Sequence, residues 1–429
     1  MKVLVVGSGG REHTIAWKIS QSPLLETLYC APGNAGTSQL AHNVQIAADD
    51  IDSLLDFAKS KSIDLTIVGP EAPLVKGIAD HFEKNNFAVV GPSQAAAILE
   101  GSKAFAKDFM KRHSIPTAAY QMFDDIKKAE LALKNDHFGF PVVLKADGLA
   151  AGKGVFVCPD LAKALEALNI VMGERKFGAA GDRLVIEEFL EGEEVSFMVF
   201  SDGVNILPMV PSQDHKAIHE GDRGPNTGGM GAYSVDGILS DELRQQILDE
   251  VIHPVIRGMS EEGRPYRGIL YAGLMIAHGK PKVLEFNVRL GDPETQVVIP
   301  RLKSDLLPVL QEMALGGLKD TRLQWSSDVA VCVVMAAGGY PESYEKGKEI
   351  SGLEMVGENE HTVTFHAGTA FKKGKVVSDG GRVLGVTSLA PTLRAAIIGA
   401  YEGINKLHFD GMYYRRDIAS KGISKPERN

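Results

Sequence analysis

The most informative stretch of this 429-residue chain reads Glu285-Phe286-Asn287-Val288-Arg289-Leu290-Gly291-Asp292-Pro293-Glu294-Thr295-Gln296. It begins inside a predicted β-strand, Pro281–Asn287, which buries Val283 and Phe286. Side chains two positions apart on a strand share a face, so Glu285 and Asn287 present a carboxylate and an amide oxygen side by side. Such a pair suits a hard divalent cation whose shell is completed by phosphate and water. The strand therefore predicts a metal site.

A dense polar turn follows the predicted metal pair and carries Arg289, Asp292 and Glu294. A solvated turn at the end of a hairpin would explain Asp292-Pro293, but it would not explain the whole arrangement. A turn of that kind rarely needs so many charges next to metal ligands. The turn is therefore interpreted as part of the functional site.

Bulk composition excludes several classes of protein. The chain is 44% hydrophobic and 24% charged, as in soluble globular proteins, and its length requires several domains. A net charge of −9 argues against a general nucleic-acid binder, which needs a basic surface.

The three widely separated cysteines are expected to be buried, reduced thiols. The N-terminal apolar run is too short for a signal peptide, and the run from Val329 to Ala337 is too short to span a membrane, so we expect a cytoplasmic protein without membrane partners.

Residues 1 to 120 alternate short apolar runs with amphipathic patterns. The predicted strands are Val3–Val6, Leu65–Val68 and Ala88–Val90, with weaker strands at Leu28–Cys30 and Val44–Ile46, and the predicted helices include His13–Ser20 and Ile51–Ser60. This alternation predicts a doubly wound, Rossmann-like parallel sheet. Ligands of such sheets bind at the carboxyl ends of the strands.

From residue 121 the pattern changes to longer strands joined by hairpins, which predicts α+β modules. The predicted strands are Pro141–Ala146, Arg183–Leu190, Glu193–Ser201, Asn205–Val210, Ile269–Ala277, Pro281–Asn287, Val329–Met335, Val363–His366, Val376–Asp379 and Val383–Thr387. A glycine-rich loop is expected from Ser212 to Ser234, and helices are expected at Asp241–Met259 and Leu393–Lys406. The predicted domains cover residues 1–120, 121–192, 193–326 and 327–429, the last being a small α+β domain.

Two glycine-rich loops have the composition of phosphate sites. Gly7-Ser8-Gly9-Gly10-Arg11-Glu12-His13 lies between a strand and a helix, where backbone amides bind anions. Glu12 stands where a dinucleotide fingerprint has its third glycine, and no acidic residue ends the second strand, so we expect phosphate binding without NAD. In the second loop, lysines flank small residues that can close over a triphosphate, but the Walker pattern is missing because Val155 follows Gly154. That loop reads Lys145-Ala146-Asp147-Gly148-Leu149-Ala150-Ala151-Gly152-Lys153-Gly154-Val155.

An acidic connector follows the second loop between two predicted strands, at Glu187-Glu188-Phe189-Leu190-Glu191. Backbone groups from Glu187 to Leu190 could hydrogen-bond an adenine edge, and a following acid could bind ribose hydroxyls. Taken alone, such an acidic cluster is more often a solvated turn. In the order lysine, glycine loop, acidic hinge and metal pair, however, these motifs resemble the ATP-grasp superfamily.

The ATP-grasp resemblance implies two α+β subdomains that hold ATP between them. It implies phosphate contacts from Lys103 and Lys145, beside the loop of Gly152, Lys153 and Gly154. It implies adenine contacts around Glu187, Glu188 and Leu190 and a ribose contact from Glu194. It also implies Mg²⁺ or Mn²⁺ on Glu285 and Asn287. The strand before the metal pair, Leu270–Met275, lacks the further acidic ligand that many members carry.

Within that superfamily, the turn Arg289–Gln296 is similar to the signature of the phosphoribosylamine–glycine ligases. Further similar segments are Gly9–His13, Pro32–Thr37, Gly69–Leu74, Ser212–Lys216 and Gly224–Gly231. The resemblance implies ATP-dependent joining of glycine to 5-phosphoribosylamine through glycyl phosphate, in de novo purine biosynthesis. It also implies a chain without fused later-pathway domains, and we expect a monomer.

Site roles follow from this resemblance and from charge. The expected catalytic residues are Lys145 and Arg289, with Arg289 on the substrate phosphate or acyl phosphate. Glu12 and Glu71 are expected to hold the ribose or the amine, although acids at helix N-termini often serve only the helix dipole. Asp214 and Lys216 either order over substrate or are solvated. The remaining expected substrate contacts are Gly10, Arg11, Asn34 and Asp292.

Three other functions compete with ligation. A sister ATP-grasp carboxylase or transformylase acting on a related ribonucleotide would share everything except the polar turn. An NAD-dependent dehydrogenase is disfavoured by the first glycine loop. A nucleotide-sensing module would bind ATP without turnover. Ligation itself needs no protein nucleophile, because alignment and charge neutralisation supply the catalysis.

Overall fold

The N-terminal part of the chain forms the predicted parallel sheet. The computed structural model describes residues 1–135, 137–149, 154–357 and 360–423. The sheet has the order β3-β2-β1-β4-β5, and every neighbouring pair is parallel. Its strands are β1 Lys2–Gly7, β2 Thr27–Pro32, β3 His42–Asn43, β4 Leu65–Val68 and β5 Ala88–Val90. The strand expected at Val44–Ile46 is wrong, because edge pairing with β2 ends at Asn43.

Helices cover this sheet and carry the chain onward. They are α1 Gly10–Ile19, α2 Ile51–Lys61, α3 Glu71–Val75, α4 Ile78–Lys84, α5 Gln94–Gly101 and α6 Lys103–Arg112. The side chains of Asp50, Ser93 and Ser102 accept hydrogen bonds from backbone amides at the starts of α2, α5 and α6. The strand order reverses between β1 and β4, so a crevice opens at their carboxyl ends.

A four-stranded antiparallel sheet follows, with the order β6-β9-β7-β8. Its strands are β6 Tyr120–Phe123, β7 Val142–Ala146, β8 Val155–Cys158 and β9 Leu184–Glu188. The helices of this unit are α7 Ile126–Lys134 and α8 Leu161–Leu168, the latter continuing as a π-helical turn at Asn169–Gly173. Lys145 pairs with Val185 of β9 and with Val155 of β8, near the end of β7, and its side chain contacts the next unit.

The next unit contains a second antiparallel sheet and a set of short strands. In chain order its strands are β10 Glu193–Asp202, β11 Ile206–Pro208, β12 Gln213–Asp214, β13 Ala217–His219, β14 Arg223–Asn226, β15 Gly231–Ser234, β16 Arg267–Ala277 and β17 Lys280–Asn287. The sheet order is β11-β10-β16-β17. The single loop expected from Ser212 to Ser234 is therefore wrong: it contains β12 to β15, because β15 pairs with a strand almost 100 residues later in the chain.

Strand β17 carries the predicted metal pair and contains a β-bulge. Gly273 pairs with Glu285 and Leu274 pairs with Val283, so Leu284 is the extra residue. The bulge lets Val283 and Phe286, three positions apart, both enter the core, while Glu285 and Asn287 keep a common face. The adjoining helices are α9 Asp241–Ile247 and α10 His253–Glu261, joined by a π-helical turn at Leu248–Ile252, then α11 Thr295–Val298 and α12 Leu306–Leu315.

The last part of the chain builds a fourth unit, of mixed α and β structure. Its strands are β18 Val329–Ala337, β19 Thr362–His366, β20 Thr369–Lys372, β21 Lys375–Ser378, β22 Arg382–Ala390 and β23 Met412–Tyr413, and its helices are α13 Leu353–Val356, α14 Leu393–Lys406 and α15 Ser420–Ile423. The main sheet has the order β12-β15-β18-β22-β19, with β23 on β18. The α/β and α+β multidomain prediction is confirmed, and the α14 bounds match the predicted helix.

Burial follows the predicted apolar runs. Strand β18 is buried along its whole length, and the three cysteines are buried, as predicted. Within the described ranges, no helix is long and apolar enough to cross a membrane.

Three buried histidines lie where distant parts of the chain meet. His13 of α1 accepts a hydrogen bond at Nδ1 from the backbone amide of His366 (2.8 Å). His215 accepts one at Nε2 from the Ala419 amide (3.3 Å). Burial lowers the pKa of His13 to about 3 and the pKa of His215 and His366 to about 4. All three are therefore neutral in the folded protein near neutral pH.

We expect acid to destabilise the protein through these histidines. The unfolded chain binds protons below about pH 6.5 while the folded chain does not, so the free energy of unfolding falls as the pH decreases toward about 4. Each histidine contributes about 1.4 kcal/mol per pH unit in that window. Asparagine cannot titrate, so a His366→Asn variant should show a weaker dependence of the free energy of unfolding on pH. Urea unfolding between about pH 6.5 and about pH 5 measures this dependence. The exposed His137→Asn variant should keep the wild-type slope, and an equal slope for both variants would contradict the assignment.

Candidate functional site

Glu12 fills the crevice between β1 and β4. It is buried, and its carboxylate accepts hydrogen bonds from the Gly9 amide (2.6 Å) and from Arg11 Nε (2.6 Å). A Cβ atom at Gly7 would lie 2.5 Å from Glu12 Cγ, and one at Gly69 would lie 2.0 Å from Glu12 Oε1. These two glycines are needed here because the Glu12 side chain occupies the space beside them. Phosphate binding by this loop stays a prediction.

Asn34 fixes the conformation of the loop that follows β2. Its amide nitrogen donates to the carbonyls of Ser8 (2.9 Å) and His366 (2.8 Å), and its Oδ1 accepts from the amides of Gly36 (2.8 Å) and Thr37 (2.9 Å). Two donors and two acceptor positions are all that an asparagine side chain offers. The backbone amide of Asn34 also donates to Thr37 Oγ1 (2.7 Å), and its carbonyl accepts from Asn43 Nδ2 (2.7 Å). A substrate contact at Asn34 would therefore require the loop to rearrange.

The turn after the metal pair is held by ion pairs with the N-terminal unit. Arg289 contacts Glu71 (Nε to Oε2, 3.3 Å) and Glu100 (NH2 to Oε1, 3.0 Å), and it donates to Asn287 Oδ1 (3.2 Å). Burial raises the pKa of Glu100. Burial also opposes ionisation of Glu71, but Arg289 and Arg11 outweigh it and lower the pKa of Glu71. The guanidinium thus stands between two acids from the parallel-sheet part of the chain.

Asp292 connects the turn to two other units. Its Oδ2 accepts from the Arg11 amide (3.4 Å), and its Oδ1 lies 3.3 Å from Arg382 NH1. Gln296 donates to Oδ1 at 2.8 Å. Burial would raise the pKa of Asp292, but Arg382 and Arg11 lower it overall, so the carboxylate is ionised at neutral pH. Gly10 also belongs here, because a Cβ atom on it would lie 2.5 Å from Gln296 Nε2.

The predicted phosphate lysines come from two different elements: Lys145 lies near the end of the interior strand β7, and Lys103 is the first residue of α6. Lys145 Nζ lies 3.0 Å from Glu187 Oε2 and donates to the carbonyl of Leu284 at the bulge (3.1 Å). Lys107 Nζ shares the same Glu187 oxygen at 3.0 Å. Lys103 donates to the Gly148 carbonyl (2.9 Å), and burial lowers its pKa. Lys145 thus contacts the residue directly before Glu285, and Lys145 and Lys103 both lower the pKa of Glu285 against the effect of burial.

The predicted adenine segment connects the two antiparallel sheets. Glu187 pairs with Val143 and Tyr120 within the sheet, and the Glu188 amide donates to Ala119 (3.0 Å). The Glu188 side chain pairs with Lys282 at 2.9 Å. Leu190, at the end of the segment, is buried. In the predicted phosphate loop, the Gly154 carbonyl accepts a hydrogen bond from the Ala146 amide (2.9 Å). Gly152 and Lys153 lie outside the described residues.

Lys216 brings the predicted ribose acid and the predicted metal acid together. Its Nζ pairs with Glu194 and lies 3.9 Å from Glu285 Oε1. Burial opposes the charge on Lys216, but Glu194, Asp214 and Glu285 raise its pKa well above the ordinary value. Burial and the neighbouring Glu294, Glu194 and Glu285 raise the pKa of Asp214. Lys216 therefore lies among three acids, Glu194, Asp214 and Glu285.

The donor set on β17 fits a hard divalent cation. Burial would raise the pKa of Glu285, but Lys216, Lys145 and Lys103 lower it overall, so the carboxylate is ionised. Asn287 Oδ1 accepts one hydrogen bond from Arg289 and retains a second acceptor position. Among the residues that the structure describes, no group of three or more His, Cys, Asp and Glu side chains converges. A cation here would thus take two protein oxygens and complete its shell with phosphate and water.

Several residues of the cleft were not expected from sequence. Lys107 lies four positions after Lys103 on α6, a helical spacing that could have revealed it. Tyr271 pairs with Asn287 across β16 and β17 and donates to Glu294 (3.0 Å). Glu100 and Arg382 carry no local signal, because their partners lie 189 and 90 residues away. The structure thus brings together the predicted residues of the first glycine loop, the turn and the two antiparallel sheets.

Comparisons with known proteins cover the whole chain. Residues 1–100 match the N domain, residues 101–295 the ATP-grasp (A) domain and residues 330–421 the C domain of phosphoribosylglycinamide synthetase. A phosphoribosylamine–glycine ligase from Allochromatium vinosum is 52% identical over 99% of each chain. The crystal structure of the Thermotoga maritima phosphoribosylamine–glycine ligase has a TM-score of 0.84 at 37% identity, covering 97% of this chain and 100% of that one.

A biotin carboxylase from Campylobacter jejuni shares the fold. Its structure has a TM-score of 0.73 at 14% identity, covering 99% of this chain and 95% of that one. At this identity the likeness concerns the fold alone, so it does not favour carboxylation over ligation.

Neutralising Glu187 should destabilise the cleft. In a Glu187→Gln variant, the buried ammonium groups of Lys107 and Lys145 lose their shared carboxylate, and breaking such a buried pair costs about 3–5 kcal/mol. We expect a clear fall in the thermal unfolding midpoint. The neighbouring Glu188→Gln variant loses only a partly exposed pair with Lys282, worth at most about 1 kcal/mol. Equal midpoints for the two variants would contradict the buried triad.

Proposed function

The chain belongs to the phosphoribosylglycinamide synthetase family, and we propose that it joins glycine to 5-phosphoribosylamine in de novo purine biosynthesis. The products are N1-(5-phosphoribosyl)glycinamide, ADP and phosphate. The observation that carries this proposal is the convergence of Lys103, Lys145, Lys216 and Glu285 beside the turn that begins at Arg289. This arrangement can neutralise a triphosphate next to a site for an anionic substrate.

The proposed chemistry has two steps. A carboxylate is a poor electrophile, so one glycine oxygen first attacks the γ-phosphorus of ATP, giving glycyl phosphate and ADP. The amine of phosphoribosylamine then attacks the glycyl carbonyl, the C–O bond to phosphate breaks, and the amine loses a proton. Lys103 and Lys145 align and neutralise the ATP phosphates, and Arg289 stabilises charge on the acyl phosphate.

ATP is the nucleotide substrate of the ATP-grasp family, and we assign its parts along the cleft. The segment from Glu187 to Leu190 receives the adenine, with the loop containing Gly152, Lys153 and Gly154 over the phosphates. Glu194 receives the ribose. The pair of Glu194 with Lys216 supports this assignment, since it fixes a carboxylate at the edge of the cleft.

Glu285 and Asn287 would hold Mg²⁺ or Mn²⁺. When bound, the ion supplies charge neutralisation for the phosphate oxygens. Lys216 lies close enough to Glu285 to keep this carboxylate ionised and oriented.

The substrate contacts of the proposal lie around the crevice of the parallel sheet. Glu12 and Glu71 face the ribose or amine of phosphoribosylamine, and Arg11 and Asp292 border the same crevice. Gly10 and Asn34 shape its loops, and Asp214 with Lys216 borders the cleft from the other side. The proposed enzyme is a cytoplasmic monomer that acts on small molecules.

The substrate assay separates ligation from its competitors. With freshly made phosphoribosylamine, ADP release should depend on glycine and should not respond to bicarbonate or formate. A carboxylase or transformylase would show the opposite dependence, and a nucleotide-sensing module would bind ATP without turnover. A coupled ADP assay measures all of these outcomes directly.

Removing the Glu285 carboxylate should nearly abolish turnover. A Glu285→Ala variant loses the only charged member of the proposed metal pair, so we expect ADP formation to fall by about a thousandfold or more. The exposed Glu250→Ala variant serves as a control and should keep the wild-type rate. A near-wild-type rate for Glu285→Ala would remove Glu285 from the metal site.

A further inference from the structure

Lys216 begins a polar hairpin beside the cleft. This Lys216 hairpin comprises residues 216–227 and contains β13 and β14. Its two ends are joined because the Lys216 carbonyl accepts hydrogen bonds from the amide and the hydroxyl of Thr227, both at 2.8 Å. All four residues of β14 are exposed. The hairpin therefore has only a small apolar base with which to fix its position.

Residues near the C-terminus hold this hairpin in place through hydrogen bonds. We call residues 413–421 the C-terminal clamp. At its centre, the fully buried Arg415 donates from NH1 to the Ala217 carbonyl (3.0 Å), which directly follows Lys216, and to Asp222 Oδ1 (3.0 Å). Two further bonds join its Nε and NH2 to Asp417, at 2.8 Å and 2.7 Å. A guanidinium that is locked by a bidentate carboxylate is a rigid donor.

Other clamp residues contact the hairpin one after another. Tyr413 donates to the Ile218 carbonyl (3.0 Å), the Gly221 amide donates to Asp417 (2.8 Å), and the Arg416 amide donates to Glu220 (3.2 Å). These contacts follow the hairpin from its first strand into its turn. Its position is thus set mainly by polar contacts with the clamp.

The clamp is itself fixed to the fourth unit, which contains β18 to β23. Tyr401 of α14 donates to the Arg415 carbonyl (2.8 Å) and accepts from the Ile418 amide (3.2 Å). Tyr413 belongs to β23, which pairs with β18. A continuous set of contacts therefore connects the buried sheet of the fourth unit to the backbone beside Lys216.

We propose that Arg415 is a positioning residue for the reaction: it fixes the Lys216 hairpin so that the Lys216 ammonium lies between Glu194 and Glu285. Arg415 contacts the peptide beside Lys216 and none of the cleft acids, so it acts through Lys216. The assignment rests on the proposed function, because it takes Lys216 as part of the ATP-binding cleft. It gives the C-terminal domain a direct part in organising the nucleotide site.

A double-mutant cycle tests this coupling. We expect Arg415→Met to lower kcat/KM for ATP by at least about tenfold and Lys216→Met to lower it further. The double variant should be no worse than Lys216→Met alone, because Arg415 acts only through Lys216. Arg415→Lys, which can still reach the Ala217 carbonyl, should recover part of the loss. Arg416→Met removes an adjacent, exposed arginine side chain and should behave as the wild type.

The outcomes are distinct. A further loss in the double variant would overturn the proposal, and so would a wild-type kcat/KM for Arg415→Met. In either case, glycine-dependent ADP release by the wild type would still uphold the proposed function. A wild-type kcat/KM for Lys216→Met would overturn both the positioning role and the assignment of Lys216. Loss of glycine-dependent ADP release in the wild type itself would instead overturn the proposed function.

A milder variant keeps the test decisive if Arg415→Met does not fold. Tyr413→Phe removes only the hydroxyl that donates to Ile218 and leaves the ring in place. We expect kcat/KM for ATP to fall about twofold to fivefold in the wild-type background and to stay unchanged in the Lys216→Met background. An equal loss in both backgrounds would overturn the proposal.

Discussion

The cleft depends on one constraint: a charge removed from water must meet an opposite charge. Arg289 stands between Glu71 and Glu100, Arg382 meets Asp292, and Lys107 and Lys145 share Glu187. Removing one partner of such a pair leaves an uncompensated buried charge, which costs several kcal/mol. The partners come from distant parts of the chain. Compensation of charge therefore joins the four units in one arrangement at the site.

The same constraint prepares the cleft for anionic ligands. Burial opposes the ionisation of Glu285, but Lys216, Lys145 and Lys103 together keep it ionised. An ionised carboxylate therefore lies beside several cations. Glu12 is buried with both oxygens occupied by Gly9 and Arg11, so its place is fixed before any ligand arrives. Fixed charges of this kind need little reorganisation during a phosphoryl transfer, and this suits the proposed mechanism.

Much of the fold could be read from local patterns. The parallel sheet followed from apolar runs that end at glycine, and α14 followed from its helical period, because both signals lie within a few residues. The strands inside Ser212–Ser234 were missed for the opposite reason. They are short and rich in glycine, and β15 is a strand only because β18 supplies its partner. The bulge at Leu284 was also invisible, although it explains why Val283 and Phe286 share the core.

The sequence by itself determined the candidates for the metal site and the turn beside it, since Glu285, Asn287 and the turn from Arg289 to Gln296 are contiguous. The spacing of Glu285 and Asn287 on a strand gives them a common face. The sequence also determined the candidates at the carboxyl ends of the parallel strands. Only the tertiary structure decided which charges compensate one another. Four charged residues have partners that are remote in the chain, namely Glu100, Lys107, Arg382 and Arg415. The contact of Arg415 with the nearby Asp417 is an exception. Electrostatic pairing depends on distance in space, and distance in space is set by the packing of whole domains.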